Sequence, residues 1–315
     1  MNTETIPILY QDHHLLIVNK PAGLVIHPTY KHADGTMWDA LLEQLAAQGR
    51  DDWQPPELPD EPEWAGAPVQ VQTMLRAKRT ERQWKEDGLL ARPCLLHRLD
   101  KDTSGIIALA RTEQSRRHII RQFHNHTIVK RYLAVIQKGA PAWSQPRITL
   151  SVTKQVEGRS NDQSAISFSF YPGDEFIIDG LLQRDPDDRR RCIVGPEGQT
   201  ATTFLKILAL SHNNEFALLE VQPLTGRTHQ IRAHLAAWGY AIVGDPVYAL
   251  PAQDGTPQAA LKRQILHAYS LEFQCYPDNQ RATFVAPLAD ELVLWMTRYF
   301  PTGLGVIDAN CTIST

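Results

Sequence analysis

The polar segment His97-Arg98-Leu99-Asp100-Lys101-Asp102-Thr103-Ser104-Gly105 runs directly into the apolar Ile106-Ile107-Ala108-Leu109-Ala110. Five consecutive apolar residues behind a turn-forming cluster read as a short buried strand, which makes the polar segment a loop at that strand's mouth. Any fold for this chain must therefore enclose the strand and leave the loop presenting its charges. Asp100 is the group there with chemistry to offer. A carboxylate beside cations such as Arg98 is favoured as the anion, which suits a nucleophile or general base better than an acid. An Asp in a polar loop can also do no more than pin a turn, here with Thr103 and Ser104.

With 315 residues and 43% hydrophobic content, the chain can bury a sizeable core as one large domain or two subdomains. A formal charge of -3 excludes a globally basic nucleic-acid coat, so any RNA contact must come from a local patch. Residues 111–138 supply one, with seven Lys/Arg against the single acid Glu113. Cys94, Cys192, Cys275 and Cys311 lack C-x-x-C spacing, which gives neither a disulfide framework nor a zinc cluster. The first residues lack the basic and apolar regions of a leader, and no apolar run reaches membrane-spanning length. A soluble, cytoplasmic protein is the expectation.

Along the chain, apolar runs at 8–10 and 15–18 read as a hairpin leading into a tight turn at Pro21 and Gly23, with Lys20 as its solvated corner. Met37, Trp38, Leu41, Leu42, Leu45 and Ala46 recur at helical spacing behind the cap Thr36. Residues 49–93 change character: 51–63 hold six acids, four prolines and no Lys/Arg, so the stretch reads as a polar insertion. Thr112 caps a second helix to about His126, with Ile119, Ile120 and Phe123 inward and Arg116, Arg117 and Arg121 outward. A strand over 129–136 carries Tyr132. Further strands are expected at 148–152, 165–170, 200–210 and 216–221, with the charge run 184–191 as a solvated loop. The next helix places Ile231, Leu235 and Trp238 on one face and ends at Gly239. Arg227 falls in the loop before it and Arg232 in its first turns, where a surface salt bridge would also explain either. A β-rich stretch over 265–276 and a helix over 287–299 complete the pattern.

Residues 96–110, read as L-H-R-L-D-K-D-T-S-G-I-I-A-L-A, resemble the catalytic motif of RluA-type pseudouridine synthases. Three further matches occur in that family's order: Val18-Asn19-Lys20-Pro21-Ala22-Gly23, Lys130-Arg131-Tyr132, and Gly226-Arg227-Thr228-His229-Gln230-Ile231-Arg232-Ala233-His234. Together they span roughly residues 6–273. The resemblance implies an α+β pseudouridine synthase fold, with a central mixed, largely antiparallel sheet and flanking helices about a central RNA cleft. It implies one catalytic domain over 1–300 with halves at about 1–140 and 141–300, the insertion at 49–93, a tail at 301–315, and no separate N-terminal RNA-binding domain. It makes Asp100 the catalytic carboxylate, pairs Arg232 with it, packs Tyr132 against the target base, and gives Arg98 the task of holding a flipped nucleotide. His97, Arg227 and His229 join Arg98 as substrate contacts, and Arg227 is close enough in sequence to be the partner of Asp100 instead. The expected partner is ribosomal or transfer RNA, acted on by a monomer without metal or cofactor.

Two rival readings stand beside this one. His118, His124 and His126 lie close together and His229 and His234 are five apart, as in a metal-dependent hydrolase, although an open metal site needs about three ligands at suitable spacing. A catalytically inactive RNA-binding protein of the same fold is the other, but a pure binder has no need of Asp100, Tyr132 and Arg232 together.

Overall fold

The computed structural model describes residues 5–27, 34–48, 89–156, 159–162 and 170–300. Its elements in chain order are β1 (Ile8–Gln11), β2 (Leu15–Lys20), α1 (Met37–Ala47), β3 (Leu89–Leu95), β4 (Ser104–Thr112), α2 (Glu113–His124), β5 (Val129–Lys138), β6 (Ser151–Val156), β7 (Arg159–Asp162) and β8 (Glu175–Arg184). There follow β9 (Cys192–Val194), β10 (Gln199–Leu210), β11 (Phe216–Pro223), α3 (Gln230–Ala237), β12 (Tyr240–Ile242), β13 (Leu266–Gln274), β14 (Arg281–Val285) and α4 (Asp290–Tyr299). Helices beside a mixed sheet make this the expected α+β class. The chain forms two compact units, the first of Met1–Lys101, Ile106–Thr127 and Phe273–Phe284, the second of Asp102–Gly105, Ile128–Glu272 and Val285–Thr315. Residues 102–105 and 273–284 each belong to the opposite unit from their flanks.

In the first unit β1 and β2 form the expected antiparallel hairpin, β2 lies beside β4, and β3 pairs antiparallel with β4 through Cys94↔Ala110 and Leu95↔Leu109. Strand β3 corrects the end of the polar insertion: residues 89–93 are strand, while 49–88 lie outside the described residues. Helix α1 starts where Thr36 and Asp39 cap each other's backbone N–H groups, and it buries Met37, Trp38, Leu41 and Leu45. That reciprocal cap fixes the helix start by satisfying two orphan donors. Helix α2 starts at Thr112, whose hydroxyl accepts from Ser115 N. Of the three arginines read as outward on α2, Arg116 and Arg117 both donate to Glu113, and these bonds, that of Arg116 first, hold the Glu113 carboxyl below its usual range.

In the second unit the strand order is β13-β5-β11-β10-β8-β6-β7, with β12 on β5 and β9 on β8. Strand β5 shows why its sequence is so apolar. Leu133 and Val135 pack on one face with Leu218, Trp295 and Met296, the last two from α4. Ala134 and Ile136 pack on the other face with Leu219, Ile231 and Leu235, the last two from α3. With a helix on each side, both sets of alternating side chains are buried. One expectation is corrected here. The charge run 184–191 is not solvated throughout, because Asp185 is fully buried and accepts from Arg191 Nε at 2.5 Å and Arg147 at 3.2 Å. Strand β10 pairs with β11 on one side and with β8 on the other, and β8 has no counterpart among the expected strands; residues 163–169, most of the strand expected at 165–170, lie outside the described residues.

Two histidines give this unit a pH dependence. His234 and His267 are buried, and burial pushes both imidazoles from 6.5 down to about 4. Between those values the unfolded chain binds more protons than the folded one. The histidines' contribution to stability is therefore full above about pH 6.5 and falls on acidification, by up to about 1.4 kcal/mol per pH unit for each histidine. Urea unfolding at pH 7 and pH 5 should show this loss; equal midpoints would contradict it.

Candidate active site

The loop ahead of β4 is tied down from its first residue. Leu96 N donates to Ala108 O at 3.1 Å, and Ala108 N donates to His97 Nε2 at 3.0 Å. His97 is thus the acceptor of a strand N–H, carries its own proton on Nδ1, and rests against the Phe123 ring of α2 with centroids 5.4 Å apart. Leu96 and Leu99 are buried, Arg98 is exposed, and Asp100 is half-buried between Leu99 and the exposed Lys101. The Lys101 carbonyl accepts twice, from Gly23 N at 3.0 Å and from Lys20 Nζ at 2.7 Å. Lys20 also donates to Pro21 O at 2.9 Å. Its reading as a solvated corner is overturned, since Lys20 is 0% exposed. Within the first unit, the Lys-Pro-Ala-Gly turn is what holds the residue after Asp100.

Residues 102–105 are tied within the second unit by the segment leading into β13. Arg263, itself fixed on Glu291 at 2.7 Å, reaches Asp102 O at 3.4 Å. Gln264 Nε2 donates to Thr103 Oγ1 at 3.2 Å, and Ser104 Oγ lies 2.8 Å from His267 Nδ1. Gly105 pairs with Ala268 and has φ +118°, where only glycine is unstrained. A Cβ on Gly105 would stand 2.2 Å from Ala268 O and 2.7 Å from Ala268 N. Backbone cannot yield there as a flexible side chain would. Gly105→Ala should accordingly cost upwards of about 3 kcal/mol and sharply reduce soluble protein; a variant with wild-type melting temperature would contradict this contact.

Ala268 pairs on its other side with Tyr132 of β5, so Gly105, Ala268 and Tyr132 form one cross-strand row. The register of β13 on β5 slips between Ala268 and Ser270, a bulge at the row itself, and bulges re-aim neighbouring side chains. Tyr132 is half-buried. Two residues earlier on the same face, Lys130 donates to Thr225 O at 2.9 Å, and burial lowers its ammonium to about 8.

The Gly-Arg-Thr-His-Gln-Ile-Arg segment forms the turn from β11 into α3. Gln230 holds it with all four of its hydrogen-bonding positions: Oε1 accepts from Thr225 Oγ1 at 2.7 Å and Arg227 N at 3.0 Å, while Nε2 donates to Thr202 O and Thr203 Oγ1. Arg227 Nε donates to Thr200 O at 3.1 Å. His229, at the head of α3, adopts the left-handed φ of +54°, uncommon for a residue with a side chain and frequent at functional turns. Arg232, 5% exposed, is paired through both Nε and an Nη with Asp245, at 2.7 and 2.8 Å. Nothing in the sequence marks Asp245 as the residue that holds this arginine.

The expected site residues thus fall in both units: His97, Arg98 and Asp100 in the first, Tyr132, Arg227, His229 and Arg232 in the second. Of the histidines behind the metal reading, His118 Nε2 lies 3.0 Å from Gln274 O and His234 Nδ1 lies 3.0 Å from Thr203 Oγ1. Among the described residues no group of three or more His, Cys, Asp or Glu is placed to hold a metal ion, and no helix is long and apolar enough to cross a membrane.

The family model for RNA pseudouridylate synthase matches residues 14–237, which takes in all four motifs. The chain belongs to this RNA pseudouridylate synthase family, in its RluA-like branch. An uncharacterized RNA pseudouridine synthase of Chloroflexus aurantiacus is 33% identical across 87% of this chain. Ribosomal large subunit pseudouridine synthase D of Zymomonas mobilis is 27% identical across 91% of it. The chain spans 63% of the length of the first relative and 70% of the second. Among solved structures, human RNA pseudouridylate synthase domain containing 1 superposes with a TM-score of 0.57 at 18% identity, covering 100% of this chain and 98% of its own. Human RNA pseudouridylate synthase domain containing 4 gives 0.55 at 20%, covering 93% and 92%. At such identities the likeness bears on the fold, which is the one expected.

Proposed function

We propose that this protein isomerises specific uridines of RNA to pseudouridine, with Asp100 as the catalytic carboxylate and ribosomal RNA as the substrate ahead of transfer RNA. The observation that carries the reading is the construction of the Asp100 loop, in which one family motif holds the residue after Asp100 and the glycine that ends the loop lies in register with the tyrosine of another. Lys20 and Gly23 grip Lys101, and Gly105 shares a row with Tyr132. An arbitrary surface Asp needs no such frame, whereas a reacting group must be held within about 0.5 Å of its productive position. Ribosomal RNA is favoured because the relatives from Zymomonas mobilis and Nitrosomonas europaea carry the name ribosomal large subunit pseudouridine synthase D.

The isomerisation breaks uracil N1 from ribose C1′, turns the base, and joins C5 to C1′; the C5 proton then leaves and N1 takes up a proton. Oxidation states balance, so no redox partner enters. Attack at C1′, attack at C6, and elimination across the sugar all make the same demand on the enzyme, an ionised carboxylate close to the nucleoside. Tyr132 stacks on the base, Arg98 occupies the space the nucleotide leaves, and Arg227 and His229 contact the strand. Flipping the nucleotide costs a few kcal/mol, which such stacking and charged contacts offset.

Loss of the C5 hydrogen supplies the test. With unmodified ribosomal RNA labelled with tritium at uracil C5, the protein should release tritium to water and leave pseudouridine at a small number of positions. Labelled transfer RNA should release less. RNA bound at equal occupancy with no release from either pool would replace this reading with that of a binder.

A further inference from the structure

The turn Asp245-Pro246-Val247-Tyr248 lies outside every motif named above, yet its charges and rings converge on Arg232. Asp245 Oδ1 accepts the main-chain N–H groups of Val247 and Tyr248, both at 2.9 Å. The carboxylate is thus oriented by its own turn, and Arg232 docks on it with two parallel hydrogen bonds, the geometry in which a guanidinium has one permitted plane. Tyr248 adds a second surface, its ring centroid 4.9 Å from Arg232 Cζ. Tyr248 is fully buried and fixed in turn: its hydroxyl accepts from Cys192 N at 2.8 Å, donates to Cys192 O at 3.0 Å, and lies 3.1 Å from His229 Nδ1. His229 sits three residues before Arg232, at the left-handed start of the same helix. Asp245 and Tyr248 are therefore each held from a second direction as well.

We propose that Asp245 and Tyr248 are positioning residues for Arg232, fixing the plane and heading of its guanidinium so that the cation serves uridine isomerisation without reorganising. This rests on the functional reading above. Pre-set charge is effective in catalysis because no rearrangement is needed when charge develops. A buried ion pair is, by contrast, a poor device for stability alone, since well-packed apolar side chains of similar volume often do as well.

The test is a double-mutant cycle on the full chain, with tritium release from labelled ribosomal RNA, RNA affinity and melting temperature measured together. Asp245→Asn keeps the shape of the side chain and removes its charge. It should lower kcat by about 100-fold, the scale of a misplacement of an ångström or so, with RNA Kd within about threefold of wild type. Arg232→Lys should lose a similar factor. The double variant should be no more than about threefold worse than either single one, because both changes abolish the same arrangement. Asp245→Asn with wild-type kcat, or losses that multiply in the double variant, would overturn the proposal. If Asp245→Asn does not fold, Asp245→Glu keeps the charge and moves it by one methylene; wild-type kcat there overturns the proposal and a drop of about 10-fold supports it. Absence of release by the wild-type protein would defeat the functional reading itself, which keeps the two failures apart.

Discussion

Asp100→Asn should bind RNA with an affinity within about threefold of wild type and form pseudouridine at least about 10⁴-fold more slowly, the scale on which loss of a covalent nucleophile acts. The two side chains are nearly the same size, and the loop's anchors leave the substitution little reason to disturb the fold. Lys20 and Gly23 bind the Lys101 carbonyl, His97 takes the Ala108 N–H, and Gln264 and His267 reach Thr103 and Ser104. RNA affinity should survive because most of it arises from phosphates meeting Lys and Arg, which the variant keeps. Melting temperature, RNA Kd and tritium release measured on one preparation separate these effects. Release within about tenfold of wild type would remove Asp100 from the covalent step.

Arg232 carries the second large effect, and the choice of replacement decides what is learned. Arg232→Ala should lose activity by about 10³-fold or more, yet it also strands Asp245 as a buried carboxylate without its guanidinium. Breaking a buried pair by removing one partner costs about 3–5 kcal/mol, so lost turnover in that variant mixes chemistry with unfolding. Arg232→Lys is the sharper probe. It keeps a cation for Asp245 but replaces a planar fork with a single ammonium, so the protein should fold and retain RNA affinity while kcat falls by about 100-fold. A folded Arg232→Lys enzyme with wild-type kcat would show that the fork has no part in the reaction.

Signals local to the chain were legible in the sequence. Thr36 marks a helix start, Ile106 to Ala110 a buried strand, and Gly226 to Arg232 a strand-to-helix turn, because each depends on residues within a few positions of one another. The features that escaped depend on burial, which the local pattern does not record. Lys20 reads as solvated because lysines usually are; it is buried because two main-chain carbonyls receive its ammonium. Asp185 sits in a run of mixed charge, where nothing distinguishes the one carboxylate enclosed by Arg147 and Arg191 from its exposed neighbours. Strand β8 is not legible because Asp179 and Gly180 interrupt its apolar pattern, whereas in the fold Asp179 accepts from Thr202 Oγ1 across the ladder. Asp245 is the most telling case, since it lies 13 residues beyond Arg232. Spacing alone gives no reason to join them; the return of the chain through β12 does.

Pseudouridine formation that depends on Asp100 would show in a map of every pseudouridine in cellular RNA from the source organism with the gene intact, deleted, and restored as wild type or as Asp100→Asn. Deletion should remove pseudouridine from one or a few positions of ribosomal RNA, wild type should restore them, and Asp100→Asn, present at the same level, should not. An unchanged map after deletion, or restoration by Asp100→Asn, would contradict the account.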